Sequence, residues 1–337
     1  MRLFRNDYSE LAHPRILEAL TRYQDEQNVP YGEDYHSKNA AKKIKEIFNS
    51  QGEVYFLAGG TQTNVLFISS SLRHYEGVIA VETGHINVHE TAALEGQGYK
   101  IITVKGKDGK IYPEDILRVL KTYNNEHMVK PRMVYISNST EIGTIYTKQE
   151  LIDLHSLCKK NDLYLFIDGA RLGSALTSKD NDVDPSLLGE VCDAFYVGGT
   201  KNGLLFGEAL VVNNKDLTAN FRYHIKNKGA MLAKGYAVGI EFEEVFKDNL
   251  YFDLARKANE TADILKEGLN ALGLKTLYSP TNQVFLTTSR RNAELLMKRY
   301  GSELWEDNDE VVTIRFVTSF LTSKDDVKEL LSYISSL

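Results

Sequence analysis

Short apolar runs alternate with helix patterns through the middle of the chain, and this alternation limits the possible folds more than any other feature. Helix patterns such as 114–123 and 149–160 separate seven runs that have strand character. Most of these runs are apolar at consecutive positions, which is typical of strands covered on both faces: 54–57, 78–81, 101–104, 133–136, 163–167, 195–197 and 209–212. The sequence therefore predicts an α/β fold with a mostly parallel, seven-stranded sheet.

A different rhythm begins after about Asn249. Helix patterns over 253–272, 293–300 and 325–337 accompany strand patterns over 284–287 and 311–317. Ser323, with Asp326 three residues later, is a start signal for the last helix. A chain of 337 residues also exceeds the usual size of one compact core. The sequence predicts a large domain over 15–248 and a smaller α+β domain formed by 1–14 and 249–337.

Charge and cysteine content exclude several classes of protein. The formal net charge is −6, so no overall positive field attracts nucleic acid or an anionic membrane. The two cysteines, Cys158 and Cys192, cannot form a disulfide framework or a CxxC zinc site. The N-terminal residues lack a signal-peptide pattern, and no stretch approaches the roughly 18 apolar residues that span a bilayer. We expect a cytoplasmic protein whose partner is a small molecule, without nucleic-acid or membrane partners.

The first candidate ligand-binding segment is Gly59-Gly60-Thr61, between the strand at 54–57 and an apolar helix pattern at 65–72. Open α/β sheets bind ligands at such strand ends. Glycines let the backbone approach a phosphate, and the amides at a helix N-terminus attract it. The segment matches neither GxGxxG nor a Walker A loop, so an ordinary tight turn is the alternative.

Asp168 follows the apolar strand at 163–167 and has three possible roles. It can be a turn residue that ends the strand. It can be a magnesium-binding aspartate of an ATPase, although the chain lacks the Walker A loop that such a site needs. It can also pair with the protonated nitrogen of a pyridine ring, because a cofactor that acts as an electron sink needs that positive charge.

Lys201 comes just past the strand at 195–197, with Gly198, Gly199 and Gly203 close to it in sequence. Most lysines are solvated surface residues, and a lone Gly-Thr-Lys segment has little meaning. A lysine that forms a Schiff base, however, must lose its proton, and partial burial near a cationic ring lowers its pKa. The glycines would leave space for a bulky ring beside such a lysine.

His85 and His89 follow the strand at 78–81. On a helix, this spacing would place both imidazoles on one face, as in a metal pair. The sequence offers no third ligand, and His85 comes directly after Gly84 in a predicted loop. A flat imidazole stacked on a planar cofactor explains the position of His85 better, and His89 is then structural.

These residues, in this order, resemble the threonine aldolase/β-eliminating lyase family of pyridoxal-phosphate enzymes, which have the aspartate-aminotransferase-like fold type I. The resemblance covers essentially the whole chain. It includes Asn6-Asp7, Tyr31-Gly32-Glu33-Asp34, Gly60-Thr61, Gly84-His85, Asp168-Gly169-Ala170-Arg171, Thr200-Lys201 and Arg315. It implies that pyridoxal 5′-phosphate is the cofactor.

The resemblance also implies a role for each matching residue. Lys201 would bind the cofactor covalently, and the catalytic set would be Lys201, His85 and Glu141. Cofactor contacts would come from Gly60, Thr61, His85, Asp168, Arg171, Thr200 and Lys201, with Lys226 and Lys234 supplied by a neighbouring subunit. Substrate contacts would come from Asn6, Tyr31, Arg171 and Arg315.

Several of these positions have a second interpretation. Arg315 interrupts the apolar run at 311–317, where a buried charge needs a partner, but an edge-strand arginine can also face solvent. Glu141 stands where many family members have a histidine, and it can help to deprotonate a substrate hydroxyl or brace its loop. Asn6 replaces the serine that the family often has, and its amide can still donate to a carboxylate. Lys226 and Lys234 can belong to a solvated helix face.

The implied activity is cleavage of L-threonine, L-allo-threonine and related β-hydroxy-α-amino acids to glycine and an aldehyde. A site shared between subunits requires a homodimer or a homotetramer. Alternatives on the same fold are β-elimination, racemisation and transamination. A non-catalytic binding protein and a metal-dependent hydrolase built on His85 and His89 are the remaining alternatives.

Overall fold

A seven-stranded sheet forms the centre of the molecule in the computed structural model, which describes residues 2–309 and 311–337. Its strands are β1 (Glu53–Leu57), β2 (Glu76–Val81), β3 (Lys100–Val104), β4 (Lys130–Ser137), β5 (Tyr164–Asp168), β6 (Ala194–Gly198) and β7 (Glu208–Val212). The strand order is β1-β7-β6-β5-β4-β2-β3. Only β7 runs antiparallel to its neighbours within this sheet. All seven predicted strands are therefore present, in a mostly parallel sheet.

Helices cover both faces of this sheet, which explains why its strands are apolar at consecutive positions. Residues of β2 alternate between two cores, because Ile79 packs in the core on one face of the sheet and Val78 packs in the core on the other face. The helices are α1 (Pro14–Arg22), α2 (Tyr35–Ile47), α3 (Gly60–Ser71), α4 (His85–Val88), α5 (Pro113–Thr122), α6 (Lys148–Lys160), α7 (Leu172–Leu176), α8 (Leu188–Val191), α9 (Phe221–Asn227), α10 (Tyr236–Val245), α11 (Leu250–Ala271), α12 (Arg290–Tyr300) and α13 (Lys324–Ser335). Among the described residues, none of the helices combines the length and apolar character that a membrane span requires.

A second, antiparallel sheet lies toward the C-terminus. Its strands are β8 (Lys275–Thr276), β9 (Gln283–Ser289), β10 (Glu303–Asn308) and β11 (Val311–Val317), in the order β10-β11-β9-β8. The N-terminal segment joins it, because the Phe4 amide donates to the Tyr300 carbonyl and the Val317 amide donates to the Phe4 carbonyl, both at 2.8 Å. Within the predicted small domain, Met1 and Glu310 lie outside the described residues. The residue limits of the two domains stay a prediction.

Two details differ from the sequence prediction. The helix predicted over 65–72 begins five residues earlier, at Gly60, so that Gly60 and Thr61 form its first turn. The loop predicted around His85 contains the one-turn helix α4. In both places tertiary contacts outweigh the weak helix propensity of glycine, threonine and histidine.

The loops after β1, β2, β4, β5 and β6 leave the large sheet at the carboxyl ends of strands that point the same way. These loops form the site described next.

Candidate active site

Asp168, the last residue of β5, is a buried carboxylate with a complete set of donors. The hydroxyl groups of Tyr135 and Tyr196, each 2.5 Å away, donate to it from the neighbouring strands β4 and β6. The Asn64 side-chain amide and the Ala170 backbone amide, each at 3.0 Å, complete the set. Burial alone would raise the pKa of Asp168, but the nearby His85 ring and the two tyrosine hydroxyls lower it. The structure therefore keeps a negative charge at the end of β5.

Lys201 follows β6, the strand beside β5. Its amine interacts with the charges of Arg171, Asp7 and Asp168, and these four residues are called the Asp168 cluster below. Burial and the charge of Arg171 lower the pKa of Lys201, against the attraction of Asp7 and Asp168. The Lys201 Nζ lies 5.8 Å from the centre of the Tyr8 ring. An amine in this environment loses its proton more readily than a surface lysine, as a Schiff-base lysine must.

The loop that carries Lys201 is held by backbone contacts that leave no space for larger residues. A Cβ atom at Gly199 would lie 2.7 Å from the Gly207 carbonyl oxygen. The Thr200 Oγ1 accepts from the Gly207 amide at 3.0 Å, so that Thr200 closes the loop. Glu208, at the start of β7, accepts from the Gly199 amide at 3.0 Å, and burial raises the pKa of Glu208 to about 8. Sequence reasoning missed Glu208, because its position in a strand gives no sign of its contact with the loop.

Arg171 forms a buried, two-point ion pair with Asp7. The Arg171 Nε lies 2.7 Å from the Asp7 Oδ2, and Nη2 lies 3.0 Å from Oδ1. The Asn282 amide also donates to Asp7, at 2.9 Å. Although burial opposes it, the charges of Arg171 and Lys201 lower the pKa of Asp7. Asp7 thus reaches the cluster beside the predicted Asn6, whose Oδ1 accepts from the Tyr8 amide and the Ser9 hydroxyl. A contact of the Asn6 amide with the substrate stays a prediction.

Arg315 lies on β11 between β10 and β9, so the alternative of an edge-strand arginine facing solvent is wrong. Its side chain is 12% exposed and forms an ion pair with Glu303. The Arg315 Nη1 donates to the Gln283 side chain at 3.1 Å. Burial and the charge of Arg171 lower the pKa of Arg315, which indicates that the two guanidinium groups face one region. The Arg315 Nε is buried without a hydrogen-bond partner among the described residues.

His85 and Glu141 approach the cluster from the loops after β2 and β4. The His85 Nδ1 lies 2.8 Å from the Glu90 Oε1, and the His85 backbone amide donates to the Glu141 Oε1 at 2.9 Å. The Ser137 hydroxyl donates to the same Glu141 oxygen at 2.6 Å. Burial raises the pKa of Glu141. Glu141 therefore joins two loops, which agrees with the brace interpretation.

The geometry around His85 and His89 does not support a metal site. The ring centres of His85 and His89 are 5.4 Å apart, with the planes tilted by 53°. Within residues 2–309 and 311–337, no group of three or more histidine, cysteine, aspartate or glutamate side chains has a metal-binding arrangement. The nearest buried acid, Glu90, is instead a partner of the His85 ring.

The first turn of α3 forms an open cradle near Tyr196. Gly59 at the N-cap has no side chain to bind the first amides, and a Cβ atom there would contact nothing within 4 Å. A Cβ atom at Gly60 would lie 3.0 Å from the Tyr196 hydroxyl. Thr61 follows with an exposed side chain. An anion can therefore reach the amides of this turn without a steric obstacle.

Tyr31 and Lys226 contact each other, and Lys234 lies on the exposed surface. The Lys226 Nζ lies 4.9 Å from the centre of the Tyr31 ring, and both lysines are exposed. Tyr31 and Arg222 line a groove along β1 whose walls include neither the end of β5 nor the loop after β6. Within one chain, Tyr31 therefore lines a groove that is separate from the Asp168 cluster.

Comparison with known proteins identifies the family of the chain. A family model described as β-eliminating lyase matches residues 11–291. The chain belongs to the β-eliminating lyase family. The match confirms the family that the motifs indicate.

Relatives of this β-eliminating lyase cover almost its full length. The low specificity L-threonine aldolase of Pseudomonas aeruginosa is 31% identical over 96% of this chain and 94% of its own. The solved structure of Leishmania major threonine aldolase is 42% identical, with a TM-score of 0.97 over 100% of this chain and 99% of that chain. A Thermus thermophilus aspartate aminotransferase mutant is 16% identical, with a TM-score of 0.76 over 99% and 91% of the two chains. The last match confirms the aspartate-aminotransferase-like fold.

Proposed function

We propose that this lyase cleaves L-threonine, L-allo-threonine and related β-hydroxy-α-amino acids to glycine and an aldehyde. We propose further that it uses pyridoxal 5′-phosphate held between Asp168 and Lys201. One observation carries the proposal: a buried carboxylate and an amine with a lowered pKa follow adjacent strands and belong to one electrostatic cluster. The names of the full-length relatives support the reaction, and none of the relatives described above is a racemase.

The residues present fit the proposed cofactor. Asp168 would bind the ring nitrogen, Lys201 would bind the aldehyde carbon, and Gly60 and Thr61 would hold the phosphate at the start of α3. Several buried polar atoms have no hydrogen-bond partner among the described residues, as expected around a ligand site: Asn64 Oδ1, Thr83 Oγ1, Ser139 Oγ, Glu141 Oε2 and Arg315 Nε. When bound, pyridoxal phosphate supplies an electron sink for the pair of electrons of the broken bond.

Arg171 and Arg315 would bind the carboxylate of the amino acid. Asp7 fixes the Arg171 guanidinium by two contacts, so that its remaining N–H groups point in one direction. Gln283 and Glu303 fix Arg315 and leave its Nε without a partner among the described residues. Two immobilised arginines would orient the substrate so that the bond to be broken is aligned for cleavage.

His85 would accept the proton of the β-hydroxyl group at Nε2, directly or through water. The His85 ring lies in the loop after β2, and its backbone amide is held by Glu141. Glu141 would brace the loops of His85 and Ser137, because one of its oxygens accepts from both. The leaving aldehyde lies outside the anchored carboxylate and amine, so discrimination among side chains would be weak, about 1–3 kcal/mol per methyl group.

A second subunit would complete the site. Tyr31, Lys226 and Lys234 are exposed, and Lys226 contacts the Tyr31 ring within one chain. We propose that they contribute to the site of a neighbouring subunit in a homodimer or homotetramer. Lys226 and Lys234 would then add positive charge for the phosphate, and Tyr31 would contact the substrate.

The test is product analysis. The holoenzyme is incubated with L-threonine and with L-allo-threonine, and glycine, acetaldehyde, ammonia and keto acid are quantified. We expect glycine and acetaldehyde in equal amounts from both substrates, and ammonia with a keto acid would instead indicate β-elimination. Lys201→Ala should abolish cleavage, while Lys298→Ala, at an exposed position on α12, should not change it. Full activity in Lys201→Ala would contradict the proposal.

A further inference from the structure

Glu90 is a buried carboxylate to which the proposed reaction assigns no role. Its side chain is fully buried, and its Oε1 lies 2.8 Å from the His85 Nδ1. The same oxygen accepts from the Asn64 Nδ2 at 2.8 Å. Burial of a carboxylate costs folding free energy unless hydrogen bonds or opposite charges compensate for it. The contact of Glu90 with His85 therefore requires an explanation.

We propose that Glu90 is a positioning residue that holds His85 in the tautomer whose Nε2 can accept a proton. The inference rests on the proposed function, in which His85 takes the β-hydroxyl proton. A carboxylate only accepts hydrogen bonds, so the His85 Nδ1 must carry the hydrogen that points to Glu90. A neutral imidazole has one N–H, and Nε2 is then a lone-pair acceptor. An acid that fixes the tautomer of a catalytic histidine has the same role in the Ser-His-Asp triad.

Asn64 makes this arrangement rigid. Its Nδ2 donates to the Glu90 Oε1 at 2.8 Å and to the Asp168 Oδ2 at 3.0 Å. Asn64 is itself buried on α3, a helix of 12 residues, so its amide has little freedom to move. The two buried carboxylates are thus separated and bridged by one amide. The bridge connects the histidine that would move the proton to the carboxylate that would hold the ring nitrogen.

The competing explanation is that Glu90 only braces the chain after α4. In that case its removal would lower stability and leave the tautomer of His85 and the rate of proton transfer unchanged. The response of the His85 tautomer to loss of Glu90 separates the two roles, because only a positioning carboxylate fixes which ring nitrogen carries the hydrogen. The tautomer is therefore the informative quantity.

The experiment is nitrogen NMR on the full-length holoenzyme labelled with 15N in histidine. The His85 signals are assigned by their loss in His85→Asn. We expect the N–H on Nδ1 in the native protein and in Glu90→Asp, and the N–H on Nε2 in Glu90→Leu. We also expect kcat for L-threonine to fall by roughly 10²- to 10⁴-fold in Glu90→Leu, with little change in KM and partial recovery in Glu90→Asp. Glu95→Leu, at an exposed position nearby, is the control and should match the native enzyme.

Each outcome decides the proposal. A native protein with the hydrogen on Nε2 would overturn it without any variant, which covers the case in which Glu90→Leu does not fold. A Glu90→Leu enzyme that keeps the Nδ1 tautomer and full kcat would also overturn it. If the native holoenzyme has the Nδ1 tautomer but does not cleave threonine, the proposed function fails while the positioning role of Glu90 stands.

Discussion

Each arginine of the site is matched with its own carboxylate, Arg171 with Asp7 and Arg315 with Glu303. The pairs cancel charges that would be costly to bury alone. They also fix both guanidinium planes before a substrate enters. The ion pairs therefore fix the orientation of the two guanidinium groups without giving the site a net positive charge. Recognition of a substrate carboxylate should then depend on the planar shape of the arginine side chain.

Arg315→Lys tests this dependence. Lysine keeps the charge but loses the fork that contacts Gln283 and Glu303, so the KM for L-threonine should rise roughly 10- to 100-fold, as expected for loss of a charged hydrogen bond. Steady-state kinetics over a range of threonine concentrations measures the effect. Arg290→Lys, at the exposed start of α12, is the matched control, because Arg290 also pairs with a carboxylate, that of Asp307, and it should leave KM unchanged. An unchanged KM in Arg315→Lys would remove Arg315 from the substrate site.

At the scale of elements, strand ends and helix starts position the functional groups. β5 and β6 are neighbouring strands, with Asp168 at the end of β5 and Lys201 in the loop after β6. β11 carries Arg315 into the interior of the second sheet. The first turn of α3 begins at Gly60 without a side-chain cap, which leaves its amides for an anion. α6 and α13, by contrast, begin with capping boxes. The Thr147 and Ser323 side chains each accept from the third residue of the helix that follows.

The cap of α13 gives a stability prediction. The Ser323 hydroxyl accepts from the Asp326 amide at 3.1 Å, and the Ser323 amide donates to the Asp326 carboxylate at 2.8 Å. Ser323→Ala should lower the free energy of unfolding by about 1 kcal/mol, measured by urea denaturation. Ser332→Ala, at an exposed interior position of α13, should cause no loss, because alanine has the higher helix propensity. Equal effects of the two changes would contradict the capping role.

At the scale of the whole molecule, the site lies where the N-terminal segment and both sheets meet. Asp7 contacts Arg171 after β5 and Asn282 just before β9, and the Gln283 side chain donates to the Thr140 carbonyl after β4. Relative movement of the two sheets would therefore change the position of both arginines. Stability and subunit assembly should both affect the activity.

His36 predicts how stability changes with pH. It is buried on α2 between Glu26, at 2.8 Å, and Glu243 on α10, at 2.5 Å, beside the rings of Tyr23 and Tyr35. Burial alone would lower the pKa of His36, but the two carboxylates raise it above its ordinary value of 6.5. At pH values between 6.5 and the higher pKa of the folded state, His36 therefore keeps a proton that it loses when the protein unfolds.

The stabilising contribution of His36 should be complete below pH 6.5 and should disappear as the pH rises through the higher, folded-state pKa. Each unit of pKa shift corresponds to about 1.4 kcal/mol. Urea denaturation at a series of pH values measures the decline. His36→Gln should remove most of it, and a variant that declines as steeply as the native protein would show that another group is responsible.

Subunit mixing tests the shared site. Lys201→Ala lacks the amine, and a Lys226→Ala/Lys234→Ala variant lacks the residues proposed to act in the neighbouring subunit. Hybrids of the two would contain one intact site, so a refolded equimolar mixture of a dimer should recover roughly one quarter of native activity. Each variant refolded alone is the control and should stay nearly inactive. A mixture no more active than its components would place the two lysines outside the neighbour's site.

Local patterns were sufficient to predict the seven strands of the large sheet, its helical layers and the cap of α13, because burial on both faces and capping leave marks on neighbouring residues. They did not reveal β10, Glu303–Asn308, whose polar side chains suit an edge strand and hide its strand character. The α3 start was also predicted too late, since glycine and threonine have low helix propensity.

The sequence by itself was sufficient to predict the fold class and the family, which are confirmed. It also indicated Lys201, Asp168, His85 and Arg315 as site residues, because each stands in a distinctive local segment. The tertiary structure alone decided which groups meet. Asp7 and Arg171 are 164 positions apart, and Asn64 and Asp168 are 104 apart. Contacts of this kind depend on strand order and on the packing of the two sheets, which no local pattern encodes.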